Sequence, residues 1–175
     1  MQKPLISILV PFKNTESYLV ECLDSIVNQT YTNWELLIVD DGSTDSSHNL
    51  VQNYAIKDAR IHLLSNNGTG IIEALRTGYK QAKGRFVTRM DSDDVMALNK
   101  LEQMHHSLVT HGEGHLALGK VRYFSEAGIG NGYKRYETWL NALTAQGTNF
   151  NEIYKECVIP SPCWMLYKTD FDRCG

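Results

Sequence analysis

Two short acidic runs carry the clearest chemistry in this sequence. The first, DDGSTD, spans residues 40–45, and the second, DSDD, spans residues 91–94. Carboxylates held close together repel one another unless a cation lies among them. Hard divalent cations take carboxylate oxygens as ligands and often bridge them to phosphate groups. The two runs therefore predict a site for a divalent cation and a phosphate-bearing ligand.

Each acidic run directly follows a short apolar segment of the kind that forms a buried strand. ELLIV (residues 35–39) precedes the first run and FVTRM (86–90) precedes the second. A third segment, LISILV (5–10), is followed by the turn-forming residues 11–14. In an open parallel sheet, ligands bind outside the carboxyl ends of the strands. We therefore expect these three loops to meet at one edge of a sheet.

The elements that position these loops alternate regularly between strands and helices. Apolar residues at helical spacing predict helices after the strands, over residues 18–27, 50–55, 71–82 and 98–109. Two further short apolar segments predict strands over residues 61–64 and 116–124. Because crossovers between neighbouring strands are right-handed, this alternation predicts an α/β fold, with a mainly parallel central sheet between two layers of helices. Ser43 or Thr44 is expected to cap the helix that contains residues 50–55.

The regular pattern stops near Glu126. Residues 127–132 (AGIGNG) contain three glycines, residues 133–143 are polar and aromatic with helical spacing, and residues 164–167 predict a last strand. We expect one structural domain with two regions, a regular α/β core over residues 1–125 and a less regular region over residues 126–175.

Composition excludes several classes of protein. The chain has 175 residues with 17 basic and 20 acidic side chains and a net charge of −3, so no strong positive field is present to attract nucleic acid. None of the four cysteines forms a C-x-x-C pair, which argues against a zinc ribbon. The apolar run Leu5–Phe12 is too short to span a bilayer. We expect a cytoplasmic protein without a transmembrane segment or a nucleic-acid partner.

The run GTGIIE (residues 68–73) is a weak dinucleotide signal, because Glu73 stands where a third glycine is required. The run also follows the third strand rather than the first. A tight glycine loop at this point would still allow the backbone of Gly70 to approach a pyrophosphate at the start of the next helix.

Three motifs in this order resemble the landmarks of family 2 glycosyltransferases: VPFKN (10–14), IVDDGSTD (38–45) and RMDSDD (89–94). The similarity is close over residues 5–110 and looser after them. It implies the GT-A fold, a Rossmann-like α/β/α architecture. It also implies a nucleotide-diphosphate sugar as donor and Mn²⁺ or Mg²⁺ as cofactor.

The resemblance assigns donor-binding roles by position. Pro11, Phe12 and Asn14 match the segment that lines the nucleoside pocket. Asp41 matches the carboxylate that accepts a hydrogen bond from the base, which is uracil in the commonest donors. Gly70 lies where the family places small residues near the donor.

The DSDD run matches the metal-binding motif of the family. Asp91 corresponds to the first acid, near the ribose and the donor sugar, and Asp93 corresponds to the acid that bridges the metal. Asp94 is adjacent and is expected to assist. A bound cation would reverse the local charge and stabilise the leaving diphosphate.

The implied activity is inverting transfer of a sugar, most commonly from a UDP-sugar, to a hydroxyl of a saccharide or lipid-linked acceptor in polysaccharide or glycoconjugate synthesis. Family members of this kind work at the cytoplasmic face of the membrane. The general base of the family lies after the acceptor region, so we expect it beyond Gly175 and expect residues 126–175 to be the truncated start of that region.

Three other functions compete with this interpretation. The chain could be a nucleotide-sugar-binding fragment without turnover, because the base is missing. A sugar nucleotidyltransferase would need a glycine-rich basic loop after the first strand, and residues 11–14 are too short for one. A receiver domain would place paired acids after that strand, where none stand.

Overall fold

The computed structural model describes residues 3–174, so that Met1, Gln2 and Gly175 lie outside the described residues. The strands are β1 (Ile6–Phe12), β2 (Trp34–Asp40), β3 (Ile61–Ser65), β4 (Phe86–Arg89), β5 (Ala117–Leu118) and β6 (Trp164–Tyr167). The helices are α1 (Leu19–Val27), α2 (Ser47–Lys57), α3 (Ile71–Gln81), α4 (Lys100–His111), α5 (Asn131–Gln146) and α6 (Lys168–Cys174), and a 3₁₀ turn covers Asn149–Glu152. The helix expected over residues 133–143 and the strand expected over 164–167 are both present.

The described strands form one six-stranded sheet in the order β3-β2-β1-β4-β6-β5. The four strands β3, β2, β1 and β4 run parallel, and β6 pairs antiparallel with both β4 and β5. In the register of the sheet, Phe12 lies opposite Asp40 and Leu9 lies opposite Arg89. The predicted mainly parallel α/β sheet is confirmed, and the carboxyl ends of β1, β2 and β4 lie side by side.

Helices cover both faces of this sheet, because successive side chains of a strand point to opposite faces. Ile6, Ile8 and Val10 of β1 are buried in a core that includes residues of α1, α2 and α4. Leu9 lies on the other face, in a smaller core packed against α3. Burial of each such aliphatic side chain contributes about 1.5–3 kcal/mol to folding. The expected three-layer arrangement is present.

The strand expected over residues 116–124 is wrong beyond its first residues, because only Ala117–Leu118 pair with β6. Side chains of α5 replace a strand partner in the rest of this segment. The Val121 amide donates to Asn141 Oδ1 at 2.8 Å, and the Tyr123 amide donates to Glu137 Oε2 at 2.6 Å. Once side chains satisfy these backbone groups, they do not need a sheet ladder.

The expected cap of α2 is also wrong. The helix begins at Ser47, and neither Ser43 nor Thr44 caps it. The amide of Ser43 instead donates to Asp40 Oδ1 at 2.8 Å, which closes the turn after β2. Asp45 accepts hydrogen bonds from the Ser47 amide at 3.0 Å and from the Glu16 amide at 3.2 Å.

None of the helices formed by residues 3–174 has the length and apolar character needed to cross a membrane.

Candidate functional site

The loops after β1, β2 and β4 meet at the carboxyl edge of the sheet and enclose a cavity of about 290 Å³. The cavity is lined by Pro11, Phe12, Lys13, Asp41, Ile71, Arg89, Asp91, Ser92 and Asp93. The structure therefore brings together five of the residues that the sequence selects, while Asn14, Gly70 and Asp94 do not line this cavity.

Asp41 is held firmly at one side of the cavity. Its Oδ1 accepts hydrogen bonds from Asn66 Nδ2 at 2.6 Å and from the Gly70 amide at 2.9 Å. Lys13 Nζ approaches Oδ2 at 3.5 Å. The hydrogen bonds from Asn66 and Gly70 lower the pKa of Asp41, so the carboxylate is charged and fixed in orientation at neutral pH.

Gly70 acts through this carboxylate. Its φ of 89° lies in the region that glycine adopts without strain, and in this conformation its amide points to Asp41. The sequence led us to expect this backbone beside a pyrophosphate. In the structure its N–H group is already engaged by Asp41.

Asn14 joins the loops after β1 and β2. It is exposed and has a φ of 51°. Its Oδ1 accepts a hydrogen bond from the Thr44 amide at 2.8 Å, and its own amide donates to Ser43 Oγ at 3.1 Å. The contacts of Asn14 thus fix the relative position of two loops that border the cavity.

At the end of β4, Asp91 forms an ion pair with Arg89. Arg89 Nε and Nη2 contact the same oxygen, Oδ1 of Asp91, at 2.8 Å and 2.7 Å. From beneath the loop, the buried thiol of Cys22 donates to the backbone oxygen of Asp91 at 3.5 Å. Burial, followed by the charges of the DSDD loop, raises the pKa of Cys22 to about 12, so this thiol is a packing group rather than a nucleophile.

Asp93 and Asp94 face different spaces. Asp93 is exposed at the 290 Å³ cavity, and within residues 3–174 no group donates a hydrogen bond to its carboxylate. Asp94 is half-buried and borders a second cavity of about 910 Å³, together with Lys100 and Cys163. Burial, then the charges of Asp93 and Asp91, raises the pKa of Asp94.

Lys100 is the cation beneath this loop. Its Nζ donates to the backbone oxygen of Pro162 and lies 3.9 Å from Met90 Sδ. Burial lowers the pKa of Lys100, although the negative charges of the nearby acids oppose that shift. The contact with Pro162 ties the start of α4 to the extended segment that leads into β6.

The acids of this edge fit a cation that is shared with a phosphate-bearing ligand. Within the described chain, no three His, Cys, Asp or Glu side chains are grouped closely enough to hold a metal ion by themselves. Mg²⁺ is typically bound by one or two carboxylates, with waters and substrate phosphates as its other ligands. Asp93, whose oxygens accept no hydrogen bond from a described residue, provides such a carboxylate.

The last two acids of the chain, Asp170 and Asp172, are engaged elsewhere. Asp170 accepts a hydrogen bond from the Gly114 amide at 2.7 Å and pairs with Arg173 at 3.2 Å. Asp172 accepts from the Tyr79 hydroxyl and from Lys168. Neither acid borders the two cavities at the DSDD loop.

Sequence reasoning missed three contributors to the site. Asn66 could have been found, since it directly follows the third strand and so lies at the same sheet edge as Asp41. Arg89 begins the RMDSDD motif, but only the fold shows that it pairs with Asp91. Only the fold shows that Lys100 donates a hydrogen bond to Pro162.

Comparison with known proteins places these observations in a family. The model of glycosyl transferase family 2 matches residues 7–175. The glycosyltransferase GlyG of Streptococcus pneumoniae is 38% identical over 124 residues, which cover 70% of this chain and 41% of GlyG. The Escherichia coli protein WfgD, named a UDP-Glc:α-D-GlcNAc-diphosphoundecaprenol β-1,3-glucosyltransferase, is 42% identical over 103 residues, which cover 58% of this chain and 40% of WfgD.

Solved structures of glycosyltransferases share the fold of this chain. Staphylococcus aureus TarS (residues 1–349) in complex with UDP matches with a TM-score of 0.64 and 28% identity, over 72% of this chain and 38% of that one. The mannosyltransferase PcManGT of Pyrobaculum calidifontis, in complex with GDP-Man and Mn²⁺, matches with a TM-score of 0.68 and 19% identity, over 99% of this chain and 47% of that one.

The chain spans less than half the length of GlyG and WfgD. The match to the family model nevertheless includes all three motifs and every described strand except the first residue of β1. The GT-A fold implied by the motifs is confirmed, and the chain belongs to glycosyl transferase family 2.

Proposed function

We propose that this chain carries the donor site of an inverting, metal-dependent glycosyltransferase that uses a UDP-sugar in polysaccharide or glycoconjugate synthesis. In this proposal residues 1–125 bind the donor and residues 126–175 begin the acceptor side. The observation that carries it is the pairing of two different carboxylates at one cavity. Asp41 is fixed by two strong hydrogen bonds, whereas Asp93 accepts none from the described residues.

Asp41 suits the base of the nucleotide. Its Oδ1 is occupied by Asn66 and Gly70, so that Oδ2 remains to accept a hydrogen bond from a ligand N–H group. A uracil ring presents such a group at N3. The neighbouring Pro11 and Phe12 provide apolar surface on which the ring can pack.

Asp93 suits the diphosphate end. A divalent cation bound there would neutralise the phosphates and stabilise the diphosphate as it leaves. Asp93 would hold this cation at the cavity, and Asp91 and Asp94 would support it from the adjacent positions, in agreement with the roles that the motif implies. The names of two relatives support a uridine nucleotide, since WfgD is named for UDP-Glc and TarS, at 27% identity, has a structure with UDP-GlcNAc.

Transfer with inversion requires an acceptor hydroxyl to attack the anomeric carbon from the face opposite the diphosphate, while a general base removes its proton. Asp170 and Asp172 are held by other contacts and do not line the cavity. We therefore assign the general base to no described residue and keep the expectation that it lies beyond Gly175. The acceptor is proposed to be a saccharide or a lipid-linked sugar, the class named for WfgD.

Isothermal titration with UDP, GDP, CDP and ADP, each with Mn²⁺ and with EDTA, tests the proposal. We expect UDP to bind most tightly and Mn²⁺ to strengthen its binding. Absence of binding by all four nucleotides would refute the donor site, and a preference for GDP would refute the uridine assignment. NMR of the product formed by the full-length protein tests inversion, because the anomeric configuration of the transferred sugar should be opposite to that in the donor.

A second candidate is a nucleotide-sugar-binding unit that performs no transfer. The engagement of Asp170 and Asp172 in structural contacts favours it for the described residues. The two candidates differ in a transfer assay on the full-length protein with a labelled UDP-sugar and a saccharide acceptor, because both expect binding without transfer from residues 1–175 alone. Binding without transfer supports the second candidate, and turnover supports the first.

A further inference from the structure

The ion pair between Arg89 and Asp91 has an unusual one-sided geometry. Two N–H groups of Arg89 contact Oδ1 of Asp91, at 2.8 Å and 2.7 Å. Within residues 3–174, no group donates a hydrogen bond to the other oxygen, Oδ2. A bidentate guanidinium pair ordinarily occupies both carboxylate oxygens. Here the arginine fixes the carboxylate through one oxygen and leaves the second available.

The fold explains how Arg89 reaches this position. Val87 and Arg89 lie on the same face of β4, because side chains alternate along a strand, and Val87 packs in the core beneath α3. Arg89 is therefore directed to the face where α3 begins, and Ile71 at the start of α3 borders the same cavity. The Arg89 side chain is 18% exposed, so its position is restricted by packing as well as by charge.

Asp91 lines the same cavity as Asp41 and Asp93, the two acids assigned to the base and the diphosphate. Asp41 borders the cavity after β2, and Asp93 borders it two residues beyond Asp91. A nucleotide that placed its base at Asp41 and its diphosphate at Asp93 would place its ribose between them. A carboxylate oxygen is a strong acceptor for the two ribose hydroxyls.

We propose that Arg89 is a positioning residue of the donor site, which holds Asp91 by Oδ1 so that Oδ2 accepts hydrogen bonds from the ribose hydroxyls. The inference rests on the proposed function. Arg89 acts through Asp91, because its Nε and Nη2 both contact a carboxylate oxygen of that residue. Without Arg89, Asp91 is free to rotate beside the like charges of Asp93 and Asp94, and its alignment with the ribose is lost.

The experiment compares UDP with 2′,3′-dideoxy-UDP, which lacks both ribose hydroxyls, by calorimetry in EDTA. For Arg89→Met, we expect UDP to bind about tenfold or more weakly than to the wild type, whereas dideoxy-UDP binds within about twofold of the wild type. Arg89→Lys keeps the charge but loses the two-donor fork, so we expect a smaller loss for UDP and none for dideoxy-UDP.

Arg135→Met, on the exposed surface of α5, removes the same charge from a residue that does not line the cavity and is the matched control. Thermal unfolding of each variant shows whether it is folded. Equal losses for UDP and dideoxy-UDP in the Arg89 variants would overturn the inference, because they would indicate contact with the diphosphate or damage to the fold. An unchanged UDP affinity in both Arg89 variants would also overturn it. Failure of the wild type to bind UDP would instead refute the proposed function, and the inference with it.

Discussion

The two acidic loops of this protein, residues 40–45 and 91–94, have similar compositions but hold their carboxylates in opposite ways. In the first loop, burial acts to raise the pKa of Asp40 and Asp45, but hydrogen bonds from Ser43 and His48 to Asp40, and from Ser47 to Asp45, outweigh it and lower both values. In the second loop, burial and the neighbouring acids raise the pKa of Asp94. Hydrogen bonds from the protein thus stabilise the charged carboxylates of the first loop, whereas the carboxylates of the second loop repel one another.

The difference follows from which backbone groups each loop can reach. The loop after β2 lies beside the loop after β1 and the start of α2, and both present N–H groups to it. The loop after β4 receives cations instead, Arg89 at Asp91 and Lys100 beneath Asp94. An acid that is fixed by hydrogen bonds to one of its oxygens suits recognition of a neutral base, and an acid without hydrogen bonds suits a metal ion.

The largest effect on UDP binding is expected from a substitution in the first acidic loop, residues 40–45. Asp41→Ala should weaken UDP binding by about tenfold to a hundredfold, because it removes a charged acceptor from the base site. The loss should be equal with Mn²⁺ and with EDTA, since the base lies away from the diphosphate. Calorimetry under both conditions measures it.

Asp58→Ala is a matched control, because Asp58 pairs with Arg60 near the start of β3, at the opposite end of the strand from the cavity. The assignment of Asp41 to the base is wrong if UDP binding to Asp41→Ala is no longer strengthened by Mn²⁺ but the variant still prefers UDP over GDP.

The next largest effect on UDP binding is expected from a substitution in the second acidic loop, residues 91–94. Asp93→Asn should reduce UDP affinity in Mn²⁺ by about tenfold, the size typical for disturbing a metal site, and leave UDP affinity in EDTA nearly unchanged. The residue keeps its volume and loses only its charge. Titration of wild type and variant under the two conditions provides the measurement.

Asp172→Asn, which alters an acid on α6 that contacts Lys168, serves as the control for Asp93→Asn. The same gain in affinity from Mn²⁺ in wild type and Asp93→Asn would remove Asp93 from the metal site.

A smaller effect on UDP binding is expected from removing the positive charge of Lys13, which lies beside Asp41. Lys13 is exposed and lies 3.5 Å from Asp41, so the pair is weakened by solvent and salt. Lys13→Met should lower UDP affinity by about twofold to fivefold at low ionic strength. The difference should disappear at about 1 M salt, where the Debye length is roughly 3 Å; a loss that persists there would indicate direct contact between Lys13 and the nucleotide.

The smallest expected effect is on folding stability, whose dependence on pH should have opposite signs for Asp40 in the first loop and Asp94 in the second. The lowered pKa of Asp40 means that its ionisation stabilises the fold above about pH 3.9, the ordinary value, and that this stabilisation is lost as pH falls through the folded pKa. The raised pKa of Asp94 has the opposite sign, because its ionisation costs stability as pH rises from about 3.9 through the folded value.

Thermal unfolding in EDTA between pH 2.5 and 7 (roughly the range set by these ordinary values) tests this difference. Relative to wild type, Asp40→Asn should lose a few degrees as pH rises from the lower limit to about 4, and Asp94→Asn should gain a similar amount above about pH 4. Changes of the same sign in both variants would contradict the comparison.

Much of this protein was determined by local sequence. Alternation of apolar strands with helical stripes predicted the parallel sheet, because a strand feeding a right-handed crossover has few ways to pack. The motifs at residues 10–14, 38–45 and 89–94 gave the family, and the family model confirms it. The positions of Asp41 and Asp93 directly after strands placed them at one sheet edge, where the structure has them.

Only the tertiary structure determined which acidic side chains accept hydrogen bonds and which residues donate them. The segment after Leu118 does not continue as a strand because Asn141 and Glu137, from a helix distant in sequence, bind its backbone. Asn66 and Gly70 fix Asp41, and Arg89 fixes Asp91 through a single oxygen. Most of these partners lie 14–29 residues apart in the chain, and their hydrogen bonds depend on distances of a few tenths of an ångström, which residue type and spacing do not encode.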